Sequence, residues 1–136
     1  MARLIDASIL ISYERRKIDL RSQLTARGVT DIRLSVITAS EMLHGVARAT
    51  DSVVRSQRAA VVEKLLAEFP IVPIDLETSR IHAQLWADFQ RMGTMIGQHD
   101  LWLAASCLRH AMTIVTANES EFRRVPGLTV ENWLLP

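Results

Sequence analysis

Hydrophobic residues follow two rhythms along this chain. Short unbroken apolar runs alternate with longer stretches in which apolar residues return every three or four positions. The runs at residues 3–5, 32–37, 71–74, 113–116 and 128–131 predict strands, and their β-branched, nearly continuous apolar character predicts burial on both faces. Pro73 makes the third of them short or places it near a sheet edge. The periodic stretches predict helices at 7–17, with Ile9, Leu10 and Tyr13 on one face, and at 19–27, stopped by Gly28. Further helices are predicted at 38–49, 52–69, 76–92, 98–111 and 118–123. In the one at 52–69, Val53, Val54, Val61, Leu65 and Leu66 form the apolar set. Strands alternating with helices predict an α/β chain whose mainly parallel sheet is covered on both faces.

Composition narrows this only a little. A chain of 136 residues, 49% hydrophobic and 23% charged, predicts one domain over residues 1–136 with a substantial core. The net charge of +1 supplies no global field that would draw in nucleic acid. There are 14 Arg against 2 Lys, which the codon usage of a GC-rich genome explains before function does, although the Arg fork also suits phosphate. Cys107 is the single cysteine; it excludes an internal disulfide, and its small-residue surroundings predict a packed core thiol. With no signal peptide and no apolar run of membrane-spanning length, the expectation is a soluble, cytoplasmic protein with no membrane partner.

Candidate chemistry lies in acidic residues placed where apolar runs give way to helix starts. Asp6 follows the first run, Glu41 the second and Glu121 the fourth, while Asp100 opens the apolar stretch at 101–111. Ligands of open α/β sheets bind outside the carboxyl ends of the strands, so these acids are candidates to converge. Each also has a purely structural explanation. Asp6 could cap the next helix, although Ser8 could do so instead. Glu41 completes a capping-box pattern with Thr38, and Glu121 does so with Asn118. Asp100 suits the dipole of a helix's first turn. Taken together they favour function. Several carboxylates in one place raise one another's pKa, and a hard divalent cation with oxygen ligands removes that conflict. Such a cation lowers the pKa of a bound water and stabilises charge on a phosphate, which points to phosphodiester chemistry. His99 reads as a surface or supporting group. His44, His82 and His110 have no metal-ligand spacing with it. No Walker-type loop, no GxGxxG and no Cys/His zinc cluster is present.

The same residues resemble the motifs of the PIN-domain ribonucleases, in particular the VapC-type toxins of bacterial toxin–antitoxin pairs. Leu4-Ile5-Asp6-Ala7-Ser8-Ile9-Leu10 is similar to the first acidic motif, and residues 35–45 around Glu41 to the second. Residues 96–105 around Asp100 resemble the third, and Thr116-Ala117-Asn118-Glu119-Ser120-Glu121-Phe122 with residues 125–128 the C-terminal one. The resemblance spans the whole chain. It implies a three-layer α/β/α domain with a mostly parallel sheet of about five strands. It further implies an Mg²⁺- or Mn²⁺-dependent endoribonuclease with Asp6, Glu41 and Asp100 on the metal. Glu121 would assist as a fourth catalytic acid, and Ser8 and Asn118 would support the ligands. The implied partners are an RNA substrate, a cognate antitoxin and a second copy of the chain. Ala7 stands where many members carry Thr or Ser, and Glu121 where Asp is commoner. These departures keep open a second expectation, a catalytically silent PIN-like binding module. A phosphoryl-accepting signalling domain is disfavoured, because Thr116-Ala117-Asn118 lacks the Lys it would want. Substrate-binding residues are not identified by sequence; Arg123 and Arg124 are candidates for the RNA backbone and equally for a solvated face.

Overall fold

The computed structural model describes residues 1–135. Its strands are β1 (Arg3–Ile5), β2 (Ile32–Ser35), β3 (Ile71–Val72), β4 (Thr113–Val115) and β5 (Val130–Glu131). The helices are α1 (Ala7–Arg15), α2 (Leu20–Arg27), α3 (Val36–Ala47), α4 (Ser52–Glu68), α5 (Leu76–Met92), α6 (Gln98–His110) and α7 (Glu119–Phe122). All strand pairs are parallel, in the order β3-β2-β1-β4-β5. Successive strand residues face opposite sides of a sheet, and here that alternation builds two cores. Leu4 of β1 and Ile114 of β4 pack with Leu85, Phe89, Leu103 and Phe122 from α5, α6 and α7. Their neighbours Ile5 and Val115 pack on the other side with Ile9, Tyr13, Met42 and Val62 from α1, α3 and α4. The result is the expected three-layer α/β/α architecture, with a sheet that is wholly parallel. Among the described residues, no helix is long and apolar enough to cross a membrane.

Three local expectations are corrected. The second strand stops at Ser35, two residues earlier than its apolar run, because the Ser35 hydroxyl accepts the Ile37 N–H and caps α3. Val36 and Ile37 therefore form the first helical turn, in which Ile37 packs against the core and Val36 stays exposed. The helix at 52–68 does not bury its valines as a stripe. Val62 is buried, and Leu65 and Leu66 are partly so, but Val53, Val54 and Val61 are exposed. The strands at 71–72 and 130–131 are shorter than their runs, and they are the two edge strands. Gly28 does end α2, at φ 65°, in the left-handed conformation that glycine adopts without penalty.

The strand order fixes where a ligand belongs. From β1 the chain builds outward through β2 and β3, then crosses back to add β4 and β5 on the other side. The crevice between the carboxyl ends of β1 and β4 is therefore the topological switch point. In the parallel register Ile5 lies beside Val115, so the next residues, Asp6 and Thr116, stand side by side at that crevice.

Candidate metal centre

Asp6 sits at the N-cap position of α1 but its side chain caps nothing. Only 5% exposed, its carboxylate collects hydroxyl donors on one oxygen. Ser8 Oγ donates to Oδ2 at 2.9 Å and Thr116 Oγ1 donates to the same atom at 2.8 Å. The capping role open to both Asp6 and Ser8 is thus unused, since Ser8 Oγ instead accepts the Ala117 N–H. With two hydroxyls already present, the missing hydroxyl at Ala7 does not leave Asp6 unsupported.

Glu41 lies well inside α3. With Ser35 as N-cap, Glu41 is in the second turn, too far along for a capping box, so its structural explanation falls away. Its Oε1 is buried without a hydrogen-bond partner, the nearest base being His99 Nδ1 at 3.6 Å. Burial raises the Glu41 pKa above the ordinary value, and the charge of Asp6 adds to this, while His99 pulls the other way.

Asp100 is in the first turn of α6, as expected. Asn118 Nδ2 donates to Asp100 Oδ2 at 3.0 Å and to Glu121 Oε2 at 2.6 Å. The second predicted capping box is also absent: the Asn118 side chain makes no cap bond, and its backbone N–H goes to Thr116 Oγ1 at 2.9 Å. Asp100 is pushed up to about 8, first by burial, then by its hydrogen bond to Glu121 and the charges of Asp6 and Glu121. Glu121 is shifted down, chiefly by that same hydrogen bond. The two carboxyls thus titrate as a pair that shares a proton, with Asp100 shifted up and Glu121 shifted down. Gly97, the N-cap of α6, lies against the pair; a Cβ there would stand 3.7 Å from Asp100 Oδ2 and 3.9 Å from Glu121 Oε2.

The fold therefore links the four acids into a chain of mutual influence, with Asp6 acting on both Glu41 and Asp100, and Asp100 on Glu121. Thr116 was missed as a site residue by sequence reasoning. It is fully buried, donates to Asp6 and accepts from Asn118, and so ties the two halves together. Its signal was a polar residue closing an apolar strand run, which only the pairing with β1 makes meaningful. Of the arginine candidates, Arg123 is engaged by Glu119 at 2.8 Å, and Arg124 donates to the Met95 carbonyl at 3.1 Å.

Among the described residues no group of three His, Cys, Asp or Glu side chains forms a finished metal cage. The donor set nonetheless fits a hard cation. It is built from carboxylate oxygens, one of them buried without a partner and two others crowded onto a single amide nitrogen. Mg²⁺ needs only one or two carboxylates and completes its shell with water and phosphate oxygens.

Comparison with known proteins gives a consistent result. The PIN domain family model matches residues 3–128. Ribonuclease VapC1 of Rickettsia felis is 32% identical over 96% of this chain and 95% of its own length. A tRNA(fMet)-specific endonuclease VapC of Salmonella typhimurium is 30% identical over 74% of each chain. Among solved structures, the DNA-bound VapBC complex of Salmonella typhimurium superposes with TM-score 0.87 at 24% identity, covering 98% of both chains. VapBC2 of Rickettsia felis, bound to a promoter DNA fragment, superposes with TM-score 0.84 at 25% identity, covering 98% of this chain and 99% of that one.

Proposed function

Because the chain belongs to the PIN-domain family, we propose that it is a divalent-metal-dependent endoribonuclease, the toxin of a toxin–antitoxin pair. The observation that carries this reading is geometric: Asp6, Asp100 and Glu121 meet at the sheet's switch point, tied together through Thr116 and Asn118, with Glu41 Oε1 buried without a partner. Carboxylates gathered in this way favour a bound cation.

Asp6, Asp100 and Glu41 would hold Mg²⁺ or Mn²⁺. When bound, such an ion supplies an acidified water and stabilises charge on the phosphate during in-line attack. The protein's own contribution is orientation. Ser8 and Thr116 occupy Asp6 Oδ2, and among the described residues none donates to Oδ1. Asn118 fixes Asp100 and Glu121 through one amide nitrogen. Once Asp100 gives up its proton, Glu121 is placed to orient water beside it. Outer groups of this kind typically matter 10- to 100-fold in metal affinity or activity.

Transfer RNA is the first substrate class to test, since one relative carries that specificity in its name. The VapBC complexes support a cognate antitoxin that blocks the site. A homodimer, a single domain over residues 1–136 and a cytoplasmic location complete the reading. The test is cleavage of an RNA panel, transfer RNA included, with Mg²⁺ or Mn²⁺ and with a chelator. Metal-dependent cleavage that disappears in Asp6→Asn and Asp100→Asn proteins is expected. Equal activity in those variants would sink the proposal. A protein that binds no Mn²⁺ and arrests no growth when expressed without its partner would be a silent binding module instead.

A further inference from the structure

A groove of about 680 Å³ lies between α1, α3 and α4. It reaches the candidate metal centre through Glu41, which lines it together with His99. On α3, Glu41, Gly45 and Arg48 follow at helical spacing along one face, so this helix carries the groove outward from the candidate metal centre. Glu14 and Arg15 of α1 and Arg58 of α4 line the other walls, so arginines outnumber the carboxylates there by three to two, counting Arg48 and Glu41. Most exposed arginines elsewhere in the fold have a carboxylate or a carbonyl to hold, as Arg21 holds Glu68 and Arg91 holds Asp88, Arg16 being the exception. Among the described residues Arg15, Arg48 and Arg58 hold neither. None of them appears in an ion pair, nor as a side-chain donor in a hydrogen bond.

Gly45 is an independent sign that the groove is kept open. Glycine inside a helix costs roughly 0.5–1 kcal/mol relative to alanine. Its backbone is helical, and a Cβ there would meet nothing within 4 Å, so neither strain nor crowding within the protein accounts for it. A ligand approaching the α3 backbone would.

We propose that this groove is the path of the RNA strand flanking the scissile bond, with Arg15, Arg48 and Arg58 as its phosphate contacts and Gly45 as the point of closest approach. This rests on the nuclease reading above and adds the residues that grip the substrate. Guanidinium forks suit phosphate oxygens, and the groove shares Glu41 with the acid cluster where a phosphate would be cut. The net charge of the chain is only +1, so binding depends on where the arginines stand rather than on a global field.

The test is fluorescence anisotropy with a labelled mixed-sequence single-stranded RNA, bound to the non-cleaving Asp6→Asn protein over a range of salt. Log affinity falls with log salt by about 0.7 per phosphate contact on single strands. Arg15→Gln, Arg48→Gln and Arg58→Gln are each expected to lower that slope by about 0.7, and the triple variant by roughly 2. Arg80→Gln, on α5 in the opposite layer, is the control and leaves the slope unchanged. Gly45→Leu is expected to weaken binding without changing the slope, because it blocks approach and removes no charge. All these residues but Gly45 are exposed, and thermal melts check that every variant folds. An unchanged slope in the triple variant overturns the proposal. If that variant also loses affinity for the cognate antitoxin, the groove belongs to an acidic protein segment instead. Wild-type protein that cuts no RNA with either metal defeats the nuclease reading itself. Wild-type cleavage with an unaffected triple variant defeats only the groove.

Discussion

The two halves of the acid cluster are built by different means. Asp6 and Thr116 follow the ends of adjacent parallel strands, side by side in the sheet register, and Ser8 of α1 completes the group. Asp100, Asn118 and Glu121 come from helix starts, where one amide nitrogen serves two carboxyls that share a proton. The first half gives its single carboxylate two hydroxyl donors; in the second, burial and neighbouring charge raise the Asp100 pKa. A cation relieves that crowding and leaves the hydroxyls in place. The strand-end half is therefore a fixed platform, and the helix-start half is the part that responds to metal and pH.

The sharpest way to break that contrast is to remove one carboxylate charge from each half. Asp6→Asn and Asp100→Asn should each lower metal-dependent RNA cleavage by more than about 100-fold, beyond the usual effect of an outer group. Single-turnover kinetics at saturating Mn²⁺ would show whether either retains activity.

Thr116→Val tests the platform by itself. It leaves the buried Asp6 Oδ2 with one donor fewer and the Asn118 N–H without its acceptor. Each unsatisfied group costs about 1–3 kcal/mol, so a lower urea midpoint is expected together with a roughly 10- to 100-fold loss of activity. Thr116→Ser, which restores the hydroxyl, should recover most of both. If Thr116→Val were as stable and active as the wild type, the hydroxyl bridge would have no role.

Glu121→Gln probes the responsive half. It removes a negative charge and the acceptor that together help hold the proton on Asp100. The Asp100 pKa should fall, so Mn²⁺ binding followed by calorimetry should reach half-maximum at lower pH than in the wild type. A shift to higher pH would contradict the shared proton.

The smallest effect expected is on stability without metal. Asp100 titrates near 8 when folded, against an ordinary value of 3.8. Between these values the folded state binds more protons than the unfolded one, so stability falls as pH rises and the contribution is gone above about 8. The downward shift of Glu121 has the opposite sign and acts only as pH falls through its own acidic range. With chelator, the denaturation midpoint should therefore decline from mildly acidic pH toward 8, and added Mn²⁺ should raise it most at the alkaline end. A metal effect that shrinks with rising pH would argue against displacement of a proton.

Much of this was legible from local sequence. The five apolar runs contain the five strands, and the helices between them lie where periodicity put them. Asp6 and Asp100 announced themselves by position. Glu41 and Glu121 were masked by patterns that mimic capping boxes. The true cap of α3 is Ser35, inside what reads as strand, and Asn118 spends its side chain on the acids. Thr116 and the arginine-walled groove were out of reach, because their meaning depends on neighbours distant in the chain.

The sequence by itself determined the alternation of strand and helix and the two-faced burial of the sheet, and it nominated the acids. These follow from apolar periodicity and from residue types, which are local properties. Only the tertiary structure decided which strands are neighbours, and hence that Asp6 meets Thr116 and that α1, α3 and α4 share a groove. It also brought Asp100 and Glu121 close enough to titrate as a pair. A pKa depends on burial and on charges a few ångströms away, and no spacing along the chain specifies either.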